Sequence, residues 1–130
     1  MMSKTNKFII KPRIHKDFVY HDMNRATREI GLGYRYIDSS LLPEADICVG
    51  VQEIKQVPHD FKPFVEPHKH DANQFYIIIG RLTVEVTLDG ERHEVDGPAS
   101  IFIPAGVKHT FHPLRGSGYL VVVLRSGEYK

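Results

Sequence analysis

The stretch from Pro67 to Gly80, reading PHKHDANQFYIIIG, places two imidazoles one residue apart at the mouth of an apolar run. In extended backbone, side chains alternate faces with period two, so His68 and His70 point the same way and can offer two nitrogens to one metal ion. Phe75 to Ile79 is an unbroken series of aromatic and β-branched residues closed by a glycine, the pattern of a buried strand ending in a turn. Taken alone, a His-x-His pair in a chain with eight histidines is more readily a coincidence than a metal site.

The elements that must position this pair read as β-structure. Leu32 to Ile37 alternates apolar residues with Gly33 and Arg35, and Ile47, Val49 and Val51 alternate with Cys48 and Gly50, which predicts two half-buried strands. Pro58, Pro63 and Pro67 then make an extended connection. Leu82, Val84, Val86 and Leu88 alternate with Thr83, Glu85 and Thr87. Asp89-Gly90 signals a tight hairpin, because a type I′ turn needs the positive φ those residues tolerate. Arg92 to Val95, Ala99 to Ile103, Lys108 to His112 and Tyr119 to Leu124 complete the strands, separated by Asp96-Gly97-Pro98 and Pro104-Ala105-Gly106. Ahead of them, Phe8 to Ile10 is expected as a short edge strand. Asn24 to Ile30 is expected as a brief helix capped by Asn24 or Asp22 and stopped by Gly31. The fold class is therefore all-β, a sandwich or barrel, divided into an N-terminal extension (1–31) and a barrel (32–130).

Composition sets outer limits. A chain of 130 residues with 42% hydrophobic and 25% charged residues can bury a core without a disulfide or a metal staple, so a metal is expected to serve function rather than stability. With 17 basic against 16 acidic residues, the net charge of +1 gives no ground for nucleic acid or an anionic membrane as partner. A single cysteine, Cys48, excludes an intrachain disulfide and reads as a small buried apolar residue. No run of about eighteen apolar residues is present to cross a bilayer, and the expected location is the cytoplasm.

The segments 68–80 and 97–113 together resemble the paired motifs of the cupin superfamily, small single-domain members in particular. His68-Lys69-His70 and Gly80 match the first motif, Pro104-Ala105-Gly106 followed by His109 matches the heart of the second, and sixteen residues separate Gly80 from Gly97. The similarity covers roughly residues 47–125. Four positions depart from the pattern: Lys62 stands for a glycine, Gly97 lies one residue further from Pro104, Pro113 replaces an asparagine, and Asn73 falls where the family has a glutamate. The resemblance implies a double-stranded β-helix, the cupin or jelly-roll barrel, with the short helix and an extra strand in the extension. That strand is often exchanged between subunits in small members, and the long apolar strands suggest a homodimer.

In such a barrel His68, His70 and His109 converge on one divalent transition metal ion, of which zinc, iron, manganese, nickel and copper are all admissible. A metal-free polar pocket is the alternative. Asn73 is expected to coordinate weakly through its amide oxygen or to hydrogen-bond a bound ligand. Glu66 is expected either to act as general base or fourth ligand or to lie solvated at the rim. Phe75, Ile77 and Phe111 are expected to line the pocket wall or simply the core, and Gln74 to face outward. Tyr34, Arg35 and Tyr36 are expected to reach the site or a dimer partner, whereas His112, His93, His15, His21 and His59 lack ligand spacing. With no carboxylate among the ligands, a small anionic organic molecule that ligates the metal is the expected substrate. The functions that follow are a metal-dependent dioxygenase, lyase or isomerase, or alternatively a non-catalytic sensory cupin.

Overall fold

A computed structural model describes residues 3–16 and 20–130. Among the described residues nine strands dominate: β1 (Arg13–Ile14), β2 (Gly33–Ile37), β3 (Cys48–Ile54), β4 (Gln74–Ile79), β5 (Leu82–Leu88), β6 (Glu91–Asp96), β7 (Ala99–Ile103), β8 (His109–Gly116) and β9 (Gly118–Leu124). They form a six-stranded sheet in the order β1-β2-β3-β9-β4-β7 and a three-stranded sheet in the order β6-β5-β8, antiparallel throughout. The core lies between the sheets. Ile54, Tyr76, Ile78, Ile103 and Leu120 from the larger sheet meet Leu82, Val84, Val86 and Phe111 from the smaller. This is the all-β jelly-roll barrel expected, with a short helix ahead of it.

The helix α1 (Met23–Glu29) begins where a capping residue stands: the Asp22 carboxylate accepts the Arg25 N–H at 3.2 Å. Its Met23 and Ala26, with Ile30 just after it, enter the same core cluster as the strands. Phe8 to Ile10 is not a strand. Asn6–Phe8 forms a 3₁₀ turn, and the edge strand is Arg13–Ile14, pairing with Tyr34 and Arg35. Asp89 and Gly90, at φ 48° and 85°, form the expected left-handed turn between β5 and β6.

Side-chain parity in β2 and β3 runs opposite to the apolar pattern. Gly33 and Arg35 are buried while Tyr36 is exposed, and Cys48, Gln52 and Ile54 are buried while Val49 and Val51 are only half-buried. Both faces of these strands carry residues suited to burial, so alternation does not reveal which face is inner.

Between β8 and β9 the chain reverses through Gly116 and Gly118, beside a register shift at Thr83 and Val84. Gly116 has φ +88°, and a Cβ there would collide with the Arg81 carbonyl oxygen. Gly116→Ala should therefore destabilise the fold by about 2 kcal/mol or more through backbone strain alone, read as a lower denaturation midpoint at unchanged m-value.

Candidate metal centre

The segment before β4 and the start of β8 meet through one isolated antiparallel bridge, in which His68 N–H donates to His109 O at 3.0 Å and His109 N–H to His68 O at 2.8 Å. The Gly106 N–H donates to His70 O at 2.8 Å, so the Pro104-Ala105-Gly106 turn is fastened beside the histidine pair. These backbone bonds bring together three imidazoles that are all buried, with one ring nitrogen of each within 4.8 Å of the others.

Their orientation is fixed from behind. Each Nδ1 faces a backbone oxygen: His68 the carbonyl of Glu66 at 2.6 Å, His70 the main-chain oxygen of Lys130, the last residue, at 2.6 Å, and His109 the carbonyl of Val107 at 2.9 Å. Such an oxygen can only accept, so each Nδ1 carries the proton and each Nε2 presents a lone pair, the tautomer a metal ligand needs. His70 Nε2 and His109 Nε2 are buried without a hydrogen-bond partner, which marks a group completed by something other than the protein's own donors. Burial keeps all three rings neutral: it lowers His68 and His70 below the usual range and takes His109 to about 4. The residues present therefore fit a divalent ion held by three neutral imidazoles.

The fourth inward-facing group is Gln74, and this corrects the sequence reading. In β4 the buried residues are Gln74, Tyr76 and Ile78, whereas Phe75 is half-buried and Ile77 is 38% exposed. Phe75 and Ile77 therefore lie on the outer face and do not line the pocket; Phe75 packs on Phe102 at 5.2 Å. Asn73 also points elsewhere: its Oδ1 accepts the Ala105 N–H at 3.0 Å and its carbonyl accepts the Arg125 N–H at 3.0 Å. It pins the second motif's turn to the first and is a positioning residue. The Gln74 amide is buried with neither Oε1 nor Nε2 in a well-formed hydrogen bond, although it lies near enough to the Tyr129 hydroxyl to favour that group's ionised form slightly. Glu66 is exposed on the outside, and its link to the cluster is its backbone carbonyl. Phe111 is buried, packed on Phe64 and Tyr76, and it lines a small interior cavity of about 50 Å³.

A further group reaches the cluster from far along the chain. The Tyr129 hydroxyl lies 3.1 Å from His68 Nε2 and 3.4 Å from His21 Nε2, and its ring meets His70 edge-on at 4.7 Å. Burial holds this phenol well above the usual tyrosine range, so it is protonated and able to donate to His68. The Arg35 guanidinium lies over the Tyr129 ring, 5.1 Å from its centroid. Arg35 is buried and donates to Asp38 at 3.2 Å, to Cys48 Sγ at 2.8 Å and to His15 Nε2 at 3.1 Å. Burial raises the Cys48 thiol to about 11, so it stays a neutral acceptor. Tyr20 stacks on His68 at 4.7 Å with 7° between the planes. Nothing in the local sequence around Tyr129 announces its role; only the fold-back of the segment after β9 delivers it.

Comparison with solved structures shows a cupin-type fold. A Bacillus subtilis oxalate decarboxylase variant superposes with a TM-score of 0.60 at 15% identity over 91% of this chain and 28% of that one. The conserved SPY1581 protein of Streptococcus pyogenes gives 0.58 at 17% over 92% and 96%. The Schizosaccharomyces pombe Cnp3 cupin domain gives 0.50 at 19% over 64% and 58%. The chain spans about a quarter of the length of the oxalate decarboxylase chains it matches. No protein-family model matches it, and no curated protein is similar in sequence. Among the described residues no helix is long and apolar enough to cross a membrane.

Two outcomes follow from the geometry. Tyr129→Phe removes the donor that occupies His68 Nε2 and should tighten Zn²⁺ binding, by several-fold in a calorimetric titration. His15, taken to about 4 by burial first and then by the Arg35 and Arg13 charges, binds its proton more readily in the unfolded chain. It should therefore contribute stability that is full above pH 6.5 and is lost as pH falls from 6.5 toward 4. Denaturation midpoints should trace that loss, and His15→Gln should lessen it, the remainder coming from His68, His70, His109 and His112, which burial also lowers.

Proposed function

From the cupin-type fold, we propose that this chain holds one divalent metal ion through His68, His70 and His109 and acts there on a small organic anion. The observation that carries this reading is the set of three Nε2 lone pairs turned toward one another by contacts of Nδ1 with backbone oxygens. The ion supplies Lewis acidity and open coordination positions for a carboxylate or an enolate. The residues of the chain hold those ligands neutral and oriented, and Gln74 and Tyr129 give hydrogen-bonding groups beside them.

Charge favours an anionic substrate. Gln74 stands inward where a carboxylate ligand would otherwise lower the site's charge, and Glu66 and Asp71 are exposed. With three neutral ligands, a divalent ion keeps its double charge until an anion joins it. The likeness to oxalate decarboxylase, a protein described with Mn(II) centres and named for a small carboxylate substrate, supports that class. The reaction is of the dioxygenase, lyase or isomerase type. A non-catalytic, ligand-holding role is the second reading, favoured by the coverage of His68 and His70 by Tyr129 and Lys130.

Elemental analysis of protein purified without an affinity tag should find about one divalent ion per chain, and His68→Ala and His109→Ala should each abolish it. Stoichiometric metal retained in both variants would place the ion elsewhere. Gln74→Glu adds a charged oxygen ligand and should tighten Zn²⁺ binding at least tenfold, whereas Asn73→Glu should not. Turnover of small carboxylates, hydroxy acids or diketones, with or without oxygen uptake, separates the enzyme from the ligand-holding reading.

A further inference from the structure

The Tyr129 hydroxyl stands to one side of the histidine cluster, not at its centre. It reaches His68 Nε2 at 3.1 Å, while His70 Nε2 and His109 Nε2 are buried without a hydrogen-bond partner. The same oxygen lies 3.4 Å from His21 Nε2. Donors and acceptors can be ordered from this. A tyrosine hydroxyl has one proton to give and lone pairs to accept with. His68 Nδ1 gives its proton to the Glu66 carbonyl, so His68 Nε2 accepts and the Tyr129 O–H donates to it. The contact with His21 is then a hydrogen bond only with His21 Nε2 as the donor. The three groups form a chain with one direction, His21 N–H to Tyr129 O–H to His68 Nε2, in which each bond polarises the next.

Backbone pairing holds His21 in this place. His21 and Val65 form an antiparallel bridge, flanked by the Glu66 N–H donating to Tyr20 O and the Asp22 N–H to Phe64 O, both at 2.8 Å. The segment paired with His21 runs directly into His68, so one short ladder sets His21, His68 and the Tyr20 ring stacked on His68. The His21 ring packs edge-on against His68 at 5.3 Å and against Tyr129 at 5.6 Å.

We infer that Tyr129 is the hydrogen-bond donor to an anion bound beside the three imidazoles, and that His21 holds and polarises its hydroxyl for that contact. The inference rests on the metal centre proposed above. Once the His68 Nε2 lone pair is committed to an ion, the same O–H can serve an oxygen of the ligand that joins the ion, and a carboxylate oxygen is a stronger acceptor than a neutral imidazole. The open cleft over His68, about 570 Å³, carries Lys69, Lys108 and Lys130 against Asp71 and Asp89, an approach biased toward anions. The ligand class narrows accordingly to carboxylates and other oxyanions that accept a hydrogen bond while bound to the ion. Tyr129 touches the ligand, and His21 is a positioning residue that acts through Tyr129.

Protein loaded with Co²⁺, whose visible spectrum reports a change of ligand, is titrated with acetate. The wild type should bind acetate, and Tyr129→Phe should bind it about tenfold more weakly, the loss of one hydrogen bond to a charged group. The same substitution should leave Co²⁺ bound as tightly as before or tighter, so metal and anion affinities move apart, which a tyrosine that only fills space does not cause. His21→Leu should weaken acetate binding several-fold, and His21→Gln, which keeps an N–H, should restore most of it. Equal acetate affinity in wild type and Tyr129→Phe, or no acetate binding to wild type carrying one Co²⁺ per chain, overturns the inference and leaves the metal centre standing. Equal losses in His21→Leu and His21→Gln overturn the part given to His21. A wild type that takes up no Co²⁺ overturns the metal centre and this inference with it.

Discussion

The two hydrogen bonds exchanged between His68 and His109 are the constraint on which the site depends. The bridge joins residues 41 positions apart, and the loop-closure cost of that separation grows only logarithmically, so ladders on either side can sustain it. On one side β8 continues from His109 along β5; on the other the Thr110 hydroxyl donates to Val65 O at 2.9 Å. The site stands where inner-face side chains emerge from between the sheets. Ligands from two segments are therefore set by backbone geometry, and their side chains need only one further anchor each, the Nδ1 contact.

That arrangement determines the electrostatics. The cluster and its near neighbours are three neutral imidazoles, a primary amide and a protonated phenol. The nearby buried carboxylate, Asp38, is committed to Arg35, to Ser40 at 2.6 Å and to Arg13. Burial opposes its ionisation, but the Ser40 and Leu41 hydrogen bonds and the Arg35 charge outweigh that and hold it below the usual carboxylate range. Asp38 thus serves Arg35 and Arg13, not the clustered histidines. Desolvating a divalent charge among neutral groups is costly unless an anion enters with it, which is the physical ground for an anionic ligand.

Much of the barrel was legible in the sequence because β5 and β8 carry an apolar inner face against a more polar outer one, so alternation and the Asp89-Gly90 turn gave strands and reversals directly. His68, His70 and His109 were legible because spacing in the two motifs is a backbone property. Parity in β2, β3 and β4 was not legible, for a reason tied to the outer face. When Phe75, Ile77 and Ile79 are as apolar as Tyr76 and Ile78, the period-two signal vanishes. Counting from the motif then set Asn73 inward in place of Gln74. Tyr129 was invisible for a different reason: its contact with His68 spans 61 residues and belongs to no periodic element.

The segment after β9 differs in kind from the rest of the site. Gln74 and His109 are held in ladders, His68 by its bridge to His109, and His70 by the Gly106 N–H bond to its carbonyl. Residues 125–130 lie outside the ladders, joined to the rest by bonds that include Arg125 N–H to Asn73 O, Ser39 N–H to Gly127 O at 2.8 Å, the Arg35 guanidinium over the Tyr129 ring, and the contacts of Tyr129 and Lys130 with the histidines. Gly127 lies so close to Ala45 that a Cβ there would collide with the Ala45 carbonyl oxygen, which fixes the path without adding bonding energy. Local opening draws on the least bonded elements first. Withdrawal of Tyr129 frees His68 Nε2 and withdrawal of Lys130 uncovers His70, with no strand disturbed. The histidines are thus covered by this segment and positioned by the barrel.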